Sequence, residues 1–164
     1  MEDLSGQKVL LKDIMTKKVV AVSPETSLIE AARILSEKKF SGMPVIDKKN
    51  KLVGILTEYD LISKEDLLHL PTFQKILENL AVYRKNRHEI SAEIKQVSRL
   101  KVKDVMNDDP LTLQENATLE STVRTFKDHH RVNPIPVLDQ NKKVVGVISR
   151  FDLIKPLYAK TIRA

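Results

Sequence analysis

Residues 51–62 read KLVGILTEYDLI, and residues 143–154 read KVVGVISRFDLI. Laid over each other, Gly54 meets Gly146, Thr57 meets Ser149 and Asp60 meets Asp152, each pair 92 positions apart (146 − 54, 149 − 57, 152 − 60). A dozen positions matched in kind at one offset make an internal repeat. Working outward, MPVID (Met43 to Asp47) returns as IPVLD (Ile135 to Asp139) at the same offset. Further out, KDIM at 12–15 returns as KDVM at 103–106, now 91 apart, so the second copy carries one inserted residue before Pro134.

Within each copy the order of elements can be read from pattern. VLLKDIMT (9–16) predicts a short amphipathic helical lead-in, and the β-branched run Val19 to Val22 predicts a short buried strand stopped by Ser23-Pro24. Ser27 with Glu30 three positions on forms a capping box, followed by Leu28, Ala31, Ala32 and Leu35 at helical spacing to about Lys38. MPVID, the polar turn KKN and KLVGILT (Lys51 to Thr57) read as strand, turn, strand, and a final short helix begins near Tyr59. The second copy repeats this, with a strand around Leu111 to Leu113, a cap at Thr118, a helix from Leu119 to about His129, and strands at IPVLD and KVVGVIS. Each copy has only three short strands and two helices, too few to enclose a core. Two copies packed together about an approximate two-fold can do so, which predicts one pseudo-symmetric α/β (α+β) module of two βαββα repeats.

Composition agrees with this class and removes others. The chain has 164 residues, 41% hydrophobic and 30% charged, with 4% aromatics and no Trp, so the core must be aliphatic. Cys is absent, which excludes disulfides, thiolate metal sites and a catalytic thiol. No apolar run reaches the ~20 residues that span a bilayer, and MEDLSGQKVL has no signal-peptide apolar core; a cytoplasmic protein without membrane contact is the expectation. There is no HExxH, GxGxxG or Walker-type glycine loop, the four His make no site, and no metal site or catalysis is expected.

Between the copies, residues 64–100 contain one Pro and an apolar stripe, Leu70, Phe73, Ile76, Leu77, Leu80 and Tyr83, continued by Ile90, Ile94 and Val97. This predicts a long helix from about 72 to 98, or two helices bent at the polar RKNRHE of 84–89. A stripe longer than the core needs a second surface, either another copy of the chain, a protein partner, or the repeats themselves. From Arg84 to Lys103 seven basic residues face two acidic ones, +5 of the formal +6. That run is read either as the solvated face of a helix or as a track for nucleic-acid phosphates.

With these residues in view, the chain resembles a tandem pair of CBS (cystathionine-β-synthase-type) domains. The resemblance rests on the DIM and DVM openings, the MPV and IPV strands, and the repeated Gly-hydrophobic-hydrophobic-Thr/Ser-x-x-Asp. It covers residues 9–63 and 101–156, with the helical segment 64–100 outside the usual pattern. It implies a regulatory module, not an enzyme and requiring no cofactor. Such modules bind adenosine-containing ligands (AMP, ADP, ATP, S-adenosylmethionine, sometimes NAD) in two clefts and commonly form homodimers through helices.

Chemistry fits that implication. A carboxylate just after a strand end can accept hydrogen bonds from both hydroxyls of a ribose, the role expected of Asp60 and Asp152. Thr57 and Ser149, three residues earlier, are expected to donate to a phosphate beside the following helix N-terminus. By resemblance, adenine would lie against Val20, Ala21 and Val22, Leu111, Thr112 and Leu113, and the steps Met43-Pro44 and Ile135-Pro136. The alternative is that both aspartates are only helix caps. The clefts differ: position 58 is Glu and position 150 is Arg. If each side chain faces its own cleft, Glu58 repels a phosphate at Asp60 while Arg150, with Arg131, clamps one at Asp152.

Overall fold

A computed structural model of the chain describes residues 8–63 and 99–159. The helical reading of 72–98, and with it most of the basic run, lies outside the described residues. The first repeat comprises α1 (Leu11–Ile14), α2 (Leu28–Lys38), β1 (Gly42–Ile46), β2 (Leu52–Thr57) and α3 (Glu58–Ser63). The second comprises a 3-10 turn (Val102–Asp104), β3 (Leu113–Gln114), α4 (Leu119–Asp128), β4 (Ile135–Leu138), β5 (Val144–Ile148) and α5 (Arg150–Ala159).

Local chemistry sets the ends of these elements. Ser27 Oγ accepts the Glu30 N–H at 3.2 Å to start α2, and Thr118 Oγ1 accepts the Ser121 N–H at 3.1 Å to start α4. Only half of the expected capping box forms, because the Glu30 carboxylate turns to Arg33, with Nε–Oε2 at 2.9 Å. The strands pair as antiparallel hairpins, β1 with β2 and β4 with β5, and β3 adds to β4 in parallel. Both hairpins slip register at the same place, between Val45 and Ile46 and between Val137 and Leu138. The Val19 to Val22 run contributes only Val22, which bridges Val45 in parallel.

The hairpin turns are also copies. Asp47 Oδ1 accepts the N–H groups of Lys49 and Lys51 at 2.8 Å, and Asp139 Oδ1 those of Asn141 and Lys143 at 2.8 Å. One residue of each turn is left-handed, Asn50 and Lys142, both with φ 61°. Asn tolerates this conformation, whereas a long side chain is strained in it. Lys142→Asn, which restores the residue of the first copy, should stabilise the fold by about 0.5–1 kcal/mol. A thermal melt should show a rise of about 1–4 °C; a fall would mean that the turn carries no such strain.

The two repeats complete each other by exchanging their lead-ins. The lead-in of the first repeat pairs with the second: the Leu11 and Lys12 N–H groups bond Ala117 O at 2.8 Å and Glu115 O at 2.9 Å, and Thr16 bridges Val147. The lead-in of the second pairs with the first: the Val102 N–H bonds Thr26 O at 2.9 Å, and Asn107 bridges Ile55. This explains why the predicted helix over 9–16 shrinks to the single turn α1. Backbone on both sides of it is already bonded to the other repeat. The side chains follow the backbone. Leu11 and Met15 are buried with Phe126, Ile135, Val137 and Ile148, while Val102 and Val105 are buried with Leu28, Leu35, Met43, Val45 and Leu56.

The repeated KD-(I/V)-M opening now has a physical account. Asp13 Oδ2 accepts the Leu10 N–H at 3.1 Å, and Asp104 Oδ2 accepts the Lys101 N–H at 2.8 Å, closing equivalent turns. The methionines lie against the glycines of the opposite repeat. A Cβ placed on Gly54 would sit 2.7 Å from Met106 Sδ, and one on Gly146 would collide with Met15 Sδ. Equivalent residues also meet across the pseudo-two-fold: Asn133 Nδ2 donates to Ser41 Oγ at 2.9 Å, and Lys51 bridges Lys143.

Lys101 and Lys103, from the end of the basic run, both bond Glu25, with the Lys103 Nζ–Oε1 distance 2.6 Å. These two ammonium groups hold the Glu25 carboxyl down at about 2. Two of the seven basic residues counted in the sequence are therefore ion-paired within the fold. Among the described residues, no helix is long and apolar enough to cross a membrane.

Candidate functional site

A cavity of about 720 Å³ opens between the repeats, a size suited to a small organic ligand. From the first repeat it is lined by Thr16, Lys18 and Val20, the α2–β1 connection including Lys39, Phe40 and Ser41, and Pro44, Glu58 and Leu61. The second repeat supplies Asn133, Pro134, Val147, Ser149, Phe151 and Asp152. Asp152 is 3% exposed, although it stands at the cavity wall.

The surroundings of Asp152 follow from where α5 starts. The turn from β5 into α5 brings the carboxylate back over Ser149, so Oδ2 accepts both the Ser149 N–H and its hydroxyl at 2.7 Å. On the other oxygen, Oδ1 accepts the Thr16 hydroxyl at 3.3 Å and the Lys155 ammonium from one turn along α5. Burial alone would raise the carboxyl's pKa, but the Lys155 ammonium and the two Ser149 donors outweigh it and lower the pKa below its ordinary value. The group is an anion held by neighbours in a nearly dry place.

Asp60 repeats only half of this. Its Oδ2 accepts the Thr57 N–H at 2.8 Å and hydroxyl at 2.6 Å. No hydrogen bond reaches its Oδ1 among the described residues. Thr57 and Ser149 therefore give their single hydroxyl hydrogen to their own aspartates. This corrects the expectation of a donor aimed at phosphate, because a carboxylate three residues on is the nearer and stronger acceptor.

The assumption that positions 58 and 150 face their own clefts is also corrected. Glu58 lines the cavity that holds Asp152. Arg150 is turned away: its guanidinium lies over the Phe126 ring, 5.6 Å from the centroid, and donates to His130 O. That stacked, hydrogen-bonded position is better for the planar cation than an unpaired one at the cavity wall. Arg131 is exposed and off the lining. Among the described residues, the cations that do reach the cavity are Lys18 and Lys39.

Of the expected adenine walls, Val20 and Pro44 line this cavity. Ala21, Leu111, Thr112, Leu113 and Pro136 do not, and Val22, Met43 and Ile135 are packed in the two cores. The sequence reading missed Thr16, Lys18, Lys39, Phe40, Asn133, Phe151 and Lys155. Two signals were available for the last three: Lys155 follows Asp152 by three on a helix, and Asn133 and Phe151 stand beside motif residues.

A family model described as CBS domain matches residues 11–67 and 102–159. The chain is 30% identical over 161 residues to protein MJ1426 of Methanocaldococcus jannaschii, covering 94% of this chain and 95% of that one. It is similar to CBSX2 of Arabidopsis thaliana, a CBS-pair protein whose crystal structure superposes with a TM-score of 0.73 at 26% identity, over 96% of this chain and 100% of that chain. The same plant protein solved in complex with AMP gives a TM-score of 0.67 at 25% identity, over 95% and 99% of the two chains. The chain spans 61% of the length of the full CBSX2 sequence. It also matches 22% of the length of inosine-5′-monophosphate dehydrogenase of M. jannaschii, at 27% identity over 87% of this chain, so the unit occurs inside an enzyme as well. With both repeats matched, the lead-ins exchanged and one groove lined from both halves, the chain belongs to the CBS domain family as a tandem CBS pair.

Proposed function

We propose that this protein is a non-catalytic sensor that binds an adenosine-containing ligand, AMP first among them, in the cavity at Asp152. The observation that carries the reading is the buried, ionised Asp152 in the wall of a cavity formed by both repeats. The similarity to a CBS pair solved with AMP supports it. Apolar side chains at Val20, Phe40, Pro44 and Val147 offer flat contact for a base, and Asp152 offers the acceptor for a ribose diol. Lys18 and Lys39 against Glu58 leave the rest of the lining one positive charge in excess, which favours a ligand with a small negative charge. Because the lining comes from both repeats, a bound ligand stabilises one relative packing of the two over others. That is the physical content of sensing in this fold.

The test is a thermal-shift titration with AMP, ATP and S-adenosylmethionine. At about 100 times its Kd a ligand adds about 2.7 kcal/mol to stability, a rise of about 5–10 °C for a chain of this size. No shift with any adenosine compound at millimolar concentration would refute the proposal.

A further inference from the structure

Resting on the Asp152 reading, we propose that Lys155 is a specificity-determining residue, passed from the Asp152 carboxylate to the phosphate of an incoming nucleotide. A carboxylate has about four lone-pair positions, and here the chain itself fills them. Ser149 supplies two donors to Oδ2, and Thr16 and Lys155 supply one each to Oδ1. A ribose diol brings two more donors and must displace some of these.

The four differ in how easily they yield. The Ser149 donors belong to the three-residue clasp that starts α5. The Thr16 backbone is bonded both ways to Val147, at 2.9 and 3.0 Å. Lys155 alone reaches Asp152 on a flexible four-carbon stem, and its side chain is 45% exposed. Lys155 is therefore the first partner to leave, and the Thr16 hydroxyl, whose 3.3 Å bond is long and whose hydrogen can rotate away, yields the second position.

Lys155 is not among the residues lining the cavity, but once displaced its ammonium is still tethered one turn from Asp152, on a flexible stem that can swing toward a phosphate carried by the ribose. A phosphate there gives it a new anion; a plain nucleoside does not. The first repeat provides an internal contrast. The position equivalent to 155 is Ser63 (155 − 63 is 92), so the first repeat carries no lysine three residues after its aspartate. The exchange makes Asp152 a site for phosphorylated nucleosides over unphosphorylated ones, by a residue that blocks the second and rewards the first.

The experiment is calorimetric titration of adenosine and of AMP into the wild-type chain and Lys155→Met, at one ionic strength. Lys18, Lys39 and Glu58 are common to both proteins, so their effects cancel in the AMP-to-adenosine affinity ratio. In Lys155→Met adenosine should bind several-fold tighter, AMP should gain nothing, and the ratio should fall about tenfold or more. Lys155→Gln keeps the length without the charge. It should show the same fall, and it carries the readout if the Met variant does not fold. An unchanged ratio, with both ligands binding wild type, overturns the exchange and leaves the Asp152 reading standing. Loss of both ligands together in the folded variants also overturns it, because Lys155 would then only position Asp152. Failure of AMP and adenosine alike to bind any of the proteins overturns the exchange together with the Asp152 reading.

Discussion

Asp152→Asn is expected to weaken binding of an adenosine nucleotide by about 100-fold while leaving the chain folded. Two ribose hydroxyls donating to a carboxylate make charge-assisted bonds, each about 1.5–3 kcal/mol. Asn is isosteric but presents one carbonyl oxygen and one NH2, so it meets one hydroxyl donor with another donor. Losing about 3 kcal/mol corresponds to about 100-fold in Kd. The carbonyl can still take the Ser149 N–H, which at present lies 2.7 Å from Asp152 Oδ2. Asp152→Ala is the poorer test, because it strips the acceptor from Ser149, Thr16 and Lys155 at a nearly buried position and lowers stability as well as affinity. The pH dependence of folding checks the charge independently. The Lys155 ammonium and the Ser149 donors hold the folded pKa of Asp152 below the ordinary carboxyl value. The ionised group therefore contributes stability that is fully present above the ordinary carboxyl value and is lost as pH falls through the lower folded value. That part of the acid sensitivity should vanish in the Asn variant. Wild-type affinity for AMP in Asp152→Asn would sink the assignment.

Leu11→Ala is expected to cost about 3 kcal/mol and, although Leu11 lies in the first repeat, to loosen the second. Leu11 is fully buried among Met15, Phe126, Ile135, Val137 and Ile148. Removing three buried carbons from a packed site costs about 2–5 kcal/mol, transfer and cavity together. For a chain of this length that lowers the melting temperature by about 6–12 °C. Native-state hydrogen exchange should report the direction of the effect. Amides of β4 and β5 should lose more protection than those of β1 and β2. The reverse pattern would mean that the lead-in exchange does not govern which core Leu11 serves.

Periodic elements were legible in the sequence. The helix over 28–38 and the two hairpins follow from apolar spacing, an N-cap hydroxyl and polar turns, all of which act within a few residues. What failed did so where distant chain intervened. The strand expected at 19–22 leaves only Val22 in a ladder, and the helix expected at 9–16 is one turn, because Leu10 and Thr16 pair with residues more than a hundred positions away. At the site, the aspartate-hydroxyl pairs were visible as a repeated motif, but their cavity partners were not. Glu58 and Arg150 occupy equivalent positions in sequence, yet one lines the cavity and the other stacks on Phe126. Equivalence of position does not fix side-chain direction once the neighbours differ.

By itself the sequence determined the repeat, the helix, hairpin and closing helix of each copy, and the family, since a constant offset and local periodicity survive in one dimension. It also determined that each repeat carries an acidic residue at the start of its last helix. Only the tertiary structure decided which lead-in completes which core, that Gly54 and Gly146 are kept small by methionines of the opposite repeat, and that Lys155 sits on Asp152. Those outcomes depend on contacts between segments far apart in the chain, whose energies are not written in either segment alone.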